Sequence, residues 1–599
     1  PSSLWSRVSS ESPKEARMHQ FKYLGHSRIG VDTQAPKVTQ MRAHILIIGL
    51  VTLIFVGCRG TTENHADLVL LSGEILSQGP EDLVEALAVR SGRIISIGSS
   101  SEIEALIGPE TRVIELDGRS VLPGLGDNHY HGIGGGGGAD LSRTRSIQDL
   151  LDAISGFAEG KNTGELIITN SDWHEGQLIE QRLPYRDDLD QAVPNHPVVV
   201  VRGGHQYVLN SLALTQWQID ETTPIVPGGR IGRYTDGRLN GELVDRAKEL
   251  VSLPPRSSPE PEAMLLSLEE EYAKLHSRGL TSIRYAAGST TLYRAIARLR
   301  DENRLTMRVN FLLAAPRGGL PASLDDAITD WPAMGDGDAW LQVGGVKLGV
   351  DGGFEGGLMR KSYEEPWGEN GTFYGLQTVP RETFFETVRQ LHQRKWRVAT
   401  HAVGDAAIDL VLDAYETVGA DTPLDELRWV IEHGFIAQPD HFPRMTDLGL
   451  VVTLQNHLYV AAPSLVQYWG VERAALTSPA RAYLDAGIPI SLGTDSPVVP
   501  WDPWWTLHHF STRSTVTAGV LGEDQGITRR EAIRAATEGY AYLTFEESVK
   551  GTLEVGKFAD FIIVADDVLE CVDPCLENMS VDLTVVGGEV VYDRSTGAT

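Results

Sequence analysis

The 599-residue chain is short of cysteine and of positive charge. It contains 3 cysteines, and its 52 lysines and arginines are outnumbered by 81 aspartates and glutamates, so that the formal net charge at pH 7 is −29. This excess of negative charge argues against nucleic acid and against an anionic membrane surface as electrostatic partners. The apolar content of 41% is that of a globular protein, and the length predicts one large domain with a smaller one.

Long apolar runs are lacking as well. One short run, residues 45–56, follows Met41; it is too short to span a bilayer but fits the core of a signal peptide. It leads into "FVGC", which resembles the lipobox of bacterial lipoproteins with Cys58 as the lipid-bearing residue. We therefore expect residues 1–57, with a signal peptide at 41–57, to lie outside the fold, and the protein to be lipid-anchored or secreted in a bacterial envelope or periplasm. A plain secretory signal or a buried segment is the alternative.

The other two cysteines, Cys571 and Cys575, lie in the loop-like stretch "ECVDPCLEN". In an oxidising compartment they would form a small disulfide loop, and otherwise they are two free thiols. A metal site made of these two residues alone is not expected.

The two ends of the chain are similar in kind. Short β-branched segments broken by Gly or Asp-Gly turns occur in residues 64–121 and again in 546–599, for example "EALAVRSGRIISIG" and "VDLTVVGGEVVYD". Two β-rich ends around one long middle predict a small sheet domain to which both ends contribute.

The middle, residues 122–545, alternates between apolar strand candidates and amphipathic stretches, which predicts a (β/α)8 barrel. The eight strand candidates are "VLPGLGDNHYH", "LTSIRYA", "RVNFLLA", "VGGVKLGV", "WRVATH", "LRWVIEH", "LVVTLQ" and "IPISLGTD". The interval of about 150 residues between the first two candidates is too long for a simple connection. We expect it to hold an inserted subdomain at about 160–260, placed over the barrel mouth.

Polar side chains stand at the ends of several of these strand candidates. His129 and His131 form an H-x-H pair, and alternate residues of a strand share one face, so both imidazoles should point to one place. Other strand candidates carry a further set of polar residues: Lys347, His401, His433 and Asp495. The carboxyl ends of barrel strands are where barrel enzymes hold their chemistry, and imidazole and carboxylate suit Zn²⁺ and similar divalent ions. The sequence therefore predicts a divalent metal site.

With these residues, the sequence resembles the amidohydrolase superfamily of metal-dependent hydrolases, in particular the YtcJ-like branch that includes N-substituted formamide deformylases. The resemblance covers roughly residues 66–595. It is carried by "VLPGLGDNHYHG", "SDWHEGQL", "VRGGHQYVLNSLAL", "VKLGVDGG", "THAVGDAAID", "IEHGFI", "SLGTDSPV", "AIRAATEGYAY" and "GTLEVGKFADFIIV". Departures such as Ser496 after the last aspartate and Ala406 in "HAVGDAA" fall on the substrate side.

The resemblance implies a (β/α)8 barrel with a composite β-sandwich, a divalent metal, usually zinc, and hydrolysis of C–N bonds other than peptide bonds in a small molecule. The metal positions carry over to His129, His131, His401, His433 and Asp495. Lys347 falls where related enzymes carry a lysine, carbamylated in some branches, that bridges two ions. One ion or two, and carbamylation of Lys347, stay open, as does a homodimer.

The expected chemistry is attack of activated water on a carbonyl carbon. Asp495 would take the proton from that water and pass it to the leaving nitrogen. His433 would be a ligand or would hydrogen-bond the carbonyl oxygen. Asp405, four residues after His401, would accept from an imidazole N–H or cap the following helix.

Candidate substrate contacts are Trp173, Glu175, His205 and Asn210 in the inserted region and His457 after a barrel strand, with Tyr285, Arg360 and Trp501 as further candidates. Two alternative functions remain at this stage. One is a non-catalytic envelope lipoprotein that binds a small ligand on the same scaffold, and the other is a deaminase. An intact set of ligands argues against the first, because a retired site has no need of all of them.

Overall fold

The computed structural model describes residues 65–597, except 135–137, 142, 255–259, 316–323, 325, 327, 421 and 500. The proposed signal peptide at 41–57 and Cys58 lie outside the described residues. Within the described part of the chain, no helix is long and apolar enough to cross a membrane.

The first strands of the chain build all of one four-stranded sheet and part of another sheet. They and one short helix are β1 (Leu68–Leu71), β2 (Glu74–Leu76), β3 (Leu83–Val84), β4 (Ala86–Arg90), β5 (Arg93–Gly98), α1 (Ser100–Ile103), β6 (Arg112–Glu115) and β7 (Ser120–Pro123). A four-stranded sheet has the order β5-β4-β1-β6, in which β1 pairs antiparallel with β4 and parallel with β6.

The stretch interpreted as the first barrel strand is in fact two strands. β7 ends at Pro123 and belongs to the terminal sheet domain, and the barrel strand β8 (Leu125–Tyr130) begins after Gly124. At Gly124 the chain passes so close to Thr281 that a Cβ would overlap its side chain. The sequence pattern missed the break because both strands are apolar and only one residue separates them.

The interval between the first two barrel strands forms its own layer. Its elements are α2 (Ile147–Ala158), β9 (Ile167–Ile168), α3 (Arg186–Ala192), β10 (Val198–Arg202), β11 (Gln206–Leu209), α4 (Ser211–Gln216), β12 (Gly229–Arg233) and β13 (Leu239–Asp245). The five strands form one sheet in the order β12-β13-β11-β10-β9. Ala139 and Leu141 share a buried cluster with this layer, so it starts earlier than the predicted residue 160.

The remaining barrel elements are strands with one or more helices between most of them. They are α5 (Pro261–His276), β14 (Leu280–Gly288), α6 (Thr290–Asp301), β15 (Arg308–Ala314), β16 (Leu341–Gly349), α7 (Arg381–Gln393), β17 (Val398–Ala402), α8 (Asp405–Gly419), β18 (Val430–His433), α9 (His441–Asp447), β19 (Val451–Gln455), α10 (His457–Trp469), α11 (Val471–Ala475), α12 (Ala480–Asp485), β20 (Ile490–Gly493), α13 (Pro503–Thr512), α14 (Arg529–Ala536) and α15 (Glu538–Leu543).

Eight parallel strands form the barrel, in the order β20-β19-β18-β17-β16-β15-β14-β8. The ends of that sheet meet through two backbone hydrogen bonds: Asp495 N donates to His129 O over 2.8 Å, and His131 N donates to Ser496 O over 2.9 Å. The predicted (β/α)8 fold and its eight strands are confirmed. Closure brings the first and last strands, which carry candidate ligands, side by side.

The end of the chain returns to the terminal sheet domain. Strands β21 (Phe561–Val564), β22 (Val581–Val586) and β23 (Glu589–Asp593) complete a six-stranded sheet in the order β23-β22-β21-β7-β2-β3, in which β21 pairs antiparallel with β7. Both chain ends therefore contribute to this sheet. Cys571 and Cys575, for which the sequence left two alternatives, are joined in a disulfide with Cα atoms 6.0 Å apart.

Candidate metal centre

The strand ends bring three of the predicted ligands around Asp495, and a fourth lies beside one of them. Oδ1 of Asp495 lies 3.2 Å from His131 Nε2 and 3.5 Å from His129 Nε2, and Oδ2 lies 4.0 Å from His433 Nδ1. His129, His433 and Asp495 each offer a ligand atom within 4.8 Å of the others. The ring of His401 lies 4.6 Å from that of His433, measured between centroids. Two imidazoles of the H-x-H pair therefore converge on one carboxylate.

Each of three imidazoles has one nitrogen engaged by a neighbouring acceptor. Nδ1 of His129 donates to Glu432 over 2.6 Å, and Nε2 of His401 donates to the Gly352 carbonyl over 3.1 Å. Nδ1 of His433 donates to Gln455 Oε1 over 2.7 Å. Since these acceptors hold the proton on one nitrogen, the other nitrogen of each ring keeps its lone pair.

A buried ion pair supports the His129 contact. Glu432 also accepts from Arg284 Nη1 over 2.7 Å and from Thr453 Oγ1 over 2.5 Å, and both charged side chains are fully buried inside the barrel. Burial alone would raise the pKa of Glu432, but the Arg284 guanidinium and His129 hold it well below its usual range. Glu432 therefore stays an acceptor and keeps His129 Nε2 unprotonated.

Lys347 reaches the same point from β16. Its Nζ lies 3.1 Å from His129 Nε2. Burial lowers the pKa of Lys347. The lysine is therefore positioned beside the inward-facing nitrogen of a predicted ligand, where the resemblance expected it.

Two of the predicted ligands have an unusual backbone conformation. His433 has φ 72° and Asp495 has φ 60°, both in the left-handed region. Non-glycine residues hold such conformations only where the surrounding structure requires them, and functional sites are where they concentrate. Simple strand alternation would not predict a left-handed residue at either position.

The centre opens into two adjoining spaces. A small pocket of about 20 Å³ is lined by Phe354, Phe435, His457 and Val498 together with ligand residues. Beside it lies a cavity of about 390 Å³, which has an apolar wall that includes Ala287, Ala314 and Phe384. His205 lines both. This volume is in the range of small-molecule sites.

His457 is the predicted contact that comes nearest to the centre from outside the ligand set. Its Nε2 lies 3.0 Å from Asp495 Oδ2, and the ring is buried. With the proton on Nε2, His457 donates to Asp495 and fixes the direction of its carboxylate.

Three predicted substrate contacts are placed away from both spaces, by packing or by hydrogen bonding. Trp173 is buried in the core of the inserted layer and donates from Nε1 to Val201 O over 2.8 Å. Asn210 caps α4, accepting from Ala213 N over 3.0 Å. Glu175 is buried in an ion pair with Arg202, at 2.8 Å. Their polar groups are used within the protein rather than offered to a ligand.

Other candidates are also engaged elsewhere. The Arg360 guanidinium binds Asp409 and Asp440, at 2.5 and 2.7 Å. Asp405 begins α8 and accepts from Arg360 N over 2.7 Å, so it serves the helix start rather than an imidazole. The buried hydroxyl of Tyr285 donates to Glu271 over 3.1 Å. Trp501 is half-buried and packs against the barrel core.

Sequence reasoning missed the residues that orient the ligands. Glu432 and Gln455 had a weak signal, since Glu432 directly precedes His433 and Gln455 ends the neighbouring strand candidate. Asp351, in "VKLGVDGG", lies 3.5 Å from His401 Nε2. Burial raises the pKa of Asp351 to about 7, although its carboxylate accepts from the Gly404 and Leu358 amides. The imidazoles that Glu432, Gln455 and Asp351 contact come from other strands. Only the closed barrel therefore shows which residue contacts which ligand.

The donor set fits a divalent ion. His129 and His433 have fixed tautomers and offer ligand atoms within 4.8 Å of the Asp495 carboxylate. His131 Nε2 lies 3.2 Å from that carboxylate, and the His401 ring lies beside His433. Nitrogen and oxygen donors of this kind suit zinc and related ions. Among the described residues, the buried Oδ1 of Asp495 has no hydrogen-bond partner, and a cation would satisfy it.

The fold and the centre are those of a metal-dependent hydrolase. The chain belongs to the amidohydrolase family, whose model matches residues 112–592. It is 25% identical over 494 residues to N-substituted formamide deformylase of Arthrobacter pascens, covering 80% of this chain and 90% of that protein. It is 26% identical over 495 residues to putative amidohydrolase YtcJ of Bacillus subtilis strain 168, with the same coverage.

Among solved structures, an uncharacterised metal-dependent hydrolase from Pyrococcus horikoshii OT3 has the same fold. Its TM-score is 0.62 at 23% identity, and the match covers 84% of this chain and 98% of that one. Family membership makes the protein a hydrolase that acts on carbon–nitrogen bonds.

Proposed function

We propose that the protein hydrolyses a non-peptide C–N bond of a small molecule, in an amide, N-formyl, carbamate or cyclic amide group, with zinc as its ion. One observation carries the proposal: His129 and His433, with tautomers fixed by outer acceptors, and the buried carboxylate of Asp495 each offer a ligand atom within 4.8 Å of the others, and the His401 ring lies beside His433. When bound, a divalent ion polarises a carbonyl and makes water a nucleophile at neutral pH.

The residues that would hold the ion are His129, His131, His401, His433 and Asp495. Lys347, whose Nζ lies 3.1 Å from His129 Nε2, would be a further ligand if it were carbamylated. We propose one ion as the minimum.

Asp495 is the proton carrier of this proposal. Its carboxylate accepts a proton from the attacking water and delivers it to the leaving nitrogen, because an amide nitrogen leaves poorly without a proton. Donation from His457 Nε2 to Oδ2 over 3.0 Å leaves Oδ1 directed at the ligands. His457 therefore orients the carboxylate.

The cavity supports a substrate of modest size with an apolar substituent. Its volume is about 390 Å³, and its apolar wall faces the same space as Lys347 and His401. The relative from Arthrobacter pascens is named for N-substituted formamides, and this name supports N-formyl compounds as our first candidates.

A substrate panel tests the proposal. N-acyl, N-formyl, carbamate and cyclic amide compounds are offered to the zinc-loaded protein and to the same preparation after chelation, with metal content measured for both. We expect turnover of at least one class that disappears on chelation and returns with zinc. Purified protein that binds no metal, or that binds zinc and hydrolyses no compound of the panel, would contradict it.

A further inference from the structure

The hairpin turn between β10 and β11 brings one side chain of the inserted layer to the metal centre. His205 stacks on His401, with ring centroids 5.5 Å apart and ring planes 25° apart. It also lines both the small pocket and the larger cavity. A substrate group that binds His205 therefore lies next to His401, a predicted metal ligand. It would be close to the reacting bond rather than at the far end of the substrate.

Asp245, the last residue of β13, decides which nitrogen of His205 carries the proton. Nδ1 of His205 lies 2.7 Å from Asp245 Oδ1. A carboxylate accepts hydrogen bonds, so Nδ1 donates and Nε2 keeps its lone pair. The side chain is 31% exposed, and Nε2 has no hydrogen-bond partner among the residues that the structure describes. His205 thus presents an acceptor to the cavity.

Asp245 keeps its position despite a strained backbone and an unpaired buried oxygen. Its φ is 48°, in the left-handed region, and its other oxygen, Oδ2, is buried with no hydrogen-bond partner within the described residues. Gly352 and Gly356 make room for this carboxylate, since a Cβ at either would overlap it. Both a strained aspartate and an unpaired buried oxygen cost free energy. The paired oxygen is the one that holds His205, which points to the pair as the reason for the arrangement.

We propose that His205, positioned by Asp245, accepts a hydrogen bond from an N–H on the scissile nitrogen of the substrate and so selects amides that carry an N–H over N,N-disubstituted amides and esters. The inference rests on the proposed hydrolysis of an amide-type C–N bond. A substrate N–H donates a hydrogen bond to the lone pair of His205 Nε2. An ester oxygen at the same place has no hydrogen to donate, and its own lone pair faces that of Nε2. Sites built to bind a substrate N–H reject analogues that lack it, because the protein group is then left unpaired.

The test compares N-butylformamide with butyl formate, which has oxygen in place of the N–H, on zinc-loaded wild type and His205→Phe. Phenylalanine keeps a ring against His401 but has no lone pair. We expect kcat/KM for N-butylformamide to fall about 10- to 100-fold, and kcat/KM for butyl formate to rise or stay the same, because the variant no longer sets an unpaired acceptor against the ester oxygen. Metal content is measured alongside and should not change.

A second variant tests the positioning role of Asp245. In Asp245→Asn the amide can donate to Nδ1, which moves the imidazole proton to Nε2 and turns the acceptor into a donor. The preference for formamide over formate should fall in the same direction. His196→Phe is the matched control, because His196 lies in the same inserted layer, bonds to Glu165 O at 3.0 Å and lines neither space; its preference should equal that of wild type.

The outcomes separate the two proposals. If zinc-loaded wild type hydrolyses no compound of the panel, the proposed function fails. If wild type hydrolyses panel amides but not N-butylformamide, or if His205→Phe lowers both probes equally or neither, the role of His205 is overturned and the proposed function stands. An equal shift in His196→Phe would assign the effect to the packing of the inserted layer and also overturn that role.

Discussion

The barrel mouth and the inserted layer both bury polar side chains, but they leave different atoms unused. At the mouth, His129 and His433 each give one nitrogen to an outer acceptor and keep the other for the centre. In the inserted layer, Asn210 and Glu175 give all their polar atoms to protein partners, Glu175 to Arg202, Ser464 and Tyr468. A buried polar residue near a site therefore indicates function only when an atom is left over. His205, whose side chain is part-exposed at the cavity, also keeps an unused nitrogen in our proposal.

The largest effect is expected when a predicted metal ligand at the barrel mouth is removed. His129→Ala should lose metal and activity together, because the imidazole supplies both a donor and the contact to Glu432. The loss should exceed the roughly 100-fold that outer-contact changes cause. Metal analysis and kcat/KM are measured side by side, with His392→Ala, on α7 outside both spaces, as the control. Retention of metal and activity in His129→Ala would exclude it as a ligand.

Changing Asp495 separates proton transfer from metal binding. Asp495→Asn is nearly isosteric and still offers an oxygen to the ion, but it carries no proton at neutral pH. We expect kcat to fall about 10²- to 10⁴-fold while much of the metal stays bound. A near-normal kcat would remove Asp495 as the proton carrier and leave the mechanism without a general acid.

Removal of a residue that orients a ligand should lower metal affinity or activity less than removal of the ligand itself. Gln455→Leu removes the acceptor for His433 Nδ1 and frees the ring to rotate or change tautomer. Metal affinity or activity should fall about 10- to 100-fold. Gln455→Glu keeps an acceptor oxygen and should recover most of the loss. Equal loss in both variants would assign the effect to packing instead.

The smallest kinetic effect is expected in the inserted layer. Asn210→Ala removes a helix cap and two further buried hydrogen bonds, to Val198 N and His196 O. The free energy of unfolding should fall by about 1–3 kcal/mol, with kcat/KM of the folded protein unchanged. Asn210→Asp, which keeps the capping oxygen, should recover part of that stability. A selective loss of substrate binding in Asn210→Ala would restore it as a substrate contact.

Much of the barrel could be predicted because its strands are short apolar runs separated by amphipathic helices. All eight strands are present near their predicted positions, with the correction that "VLPGLGDNHYH" is divided at Gly124. The polar residues at the strand ends could be identified for the same reason, since a parallel barrel gathers its carboxyl ends on one side. The spacing of His129 and His131 carried real geometric information.

The inserted layer could be predicted only as a region. The long interval between the first two barrel strands predicted an insertion. No periodicity, however, distinguished Trp173 and Asn210, which are structural, from His205, which reaches the cavity. All three belong to motifs that resemble the family, and a motif does not say which of its atoms remain unpaired. That depends on neighbours distant in sequence, such as Asp245 for His205.

The sequence by itself determined the strand–helix alternation, the residue types at the strand ends and the family to which the chain belongs, because these depend on local pattern. Only the tertiary structure decided which nitrogen of each imidazole faces inward, that Glu432 and Arg284 form a buried pair behind His129, and that His433 and Asp495 adopt left-handed backbone. Each of these requires strands far apart in the chain to meet, and hydrogen-bond partners and strained turns exist only once the barrel is closed.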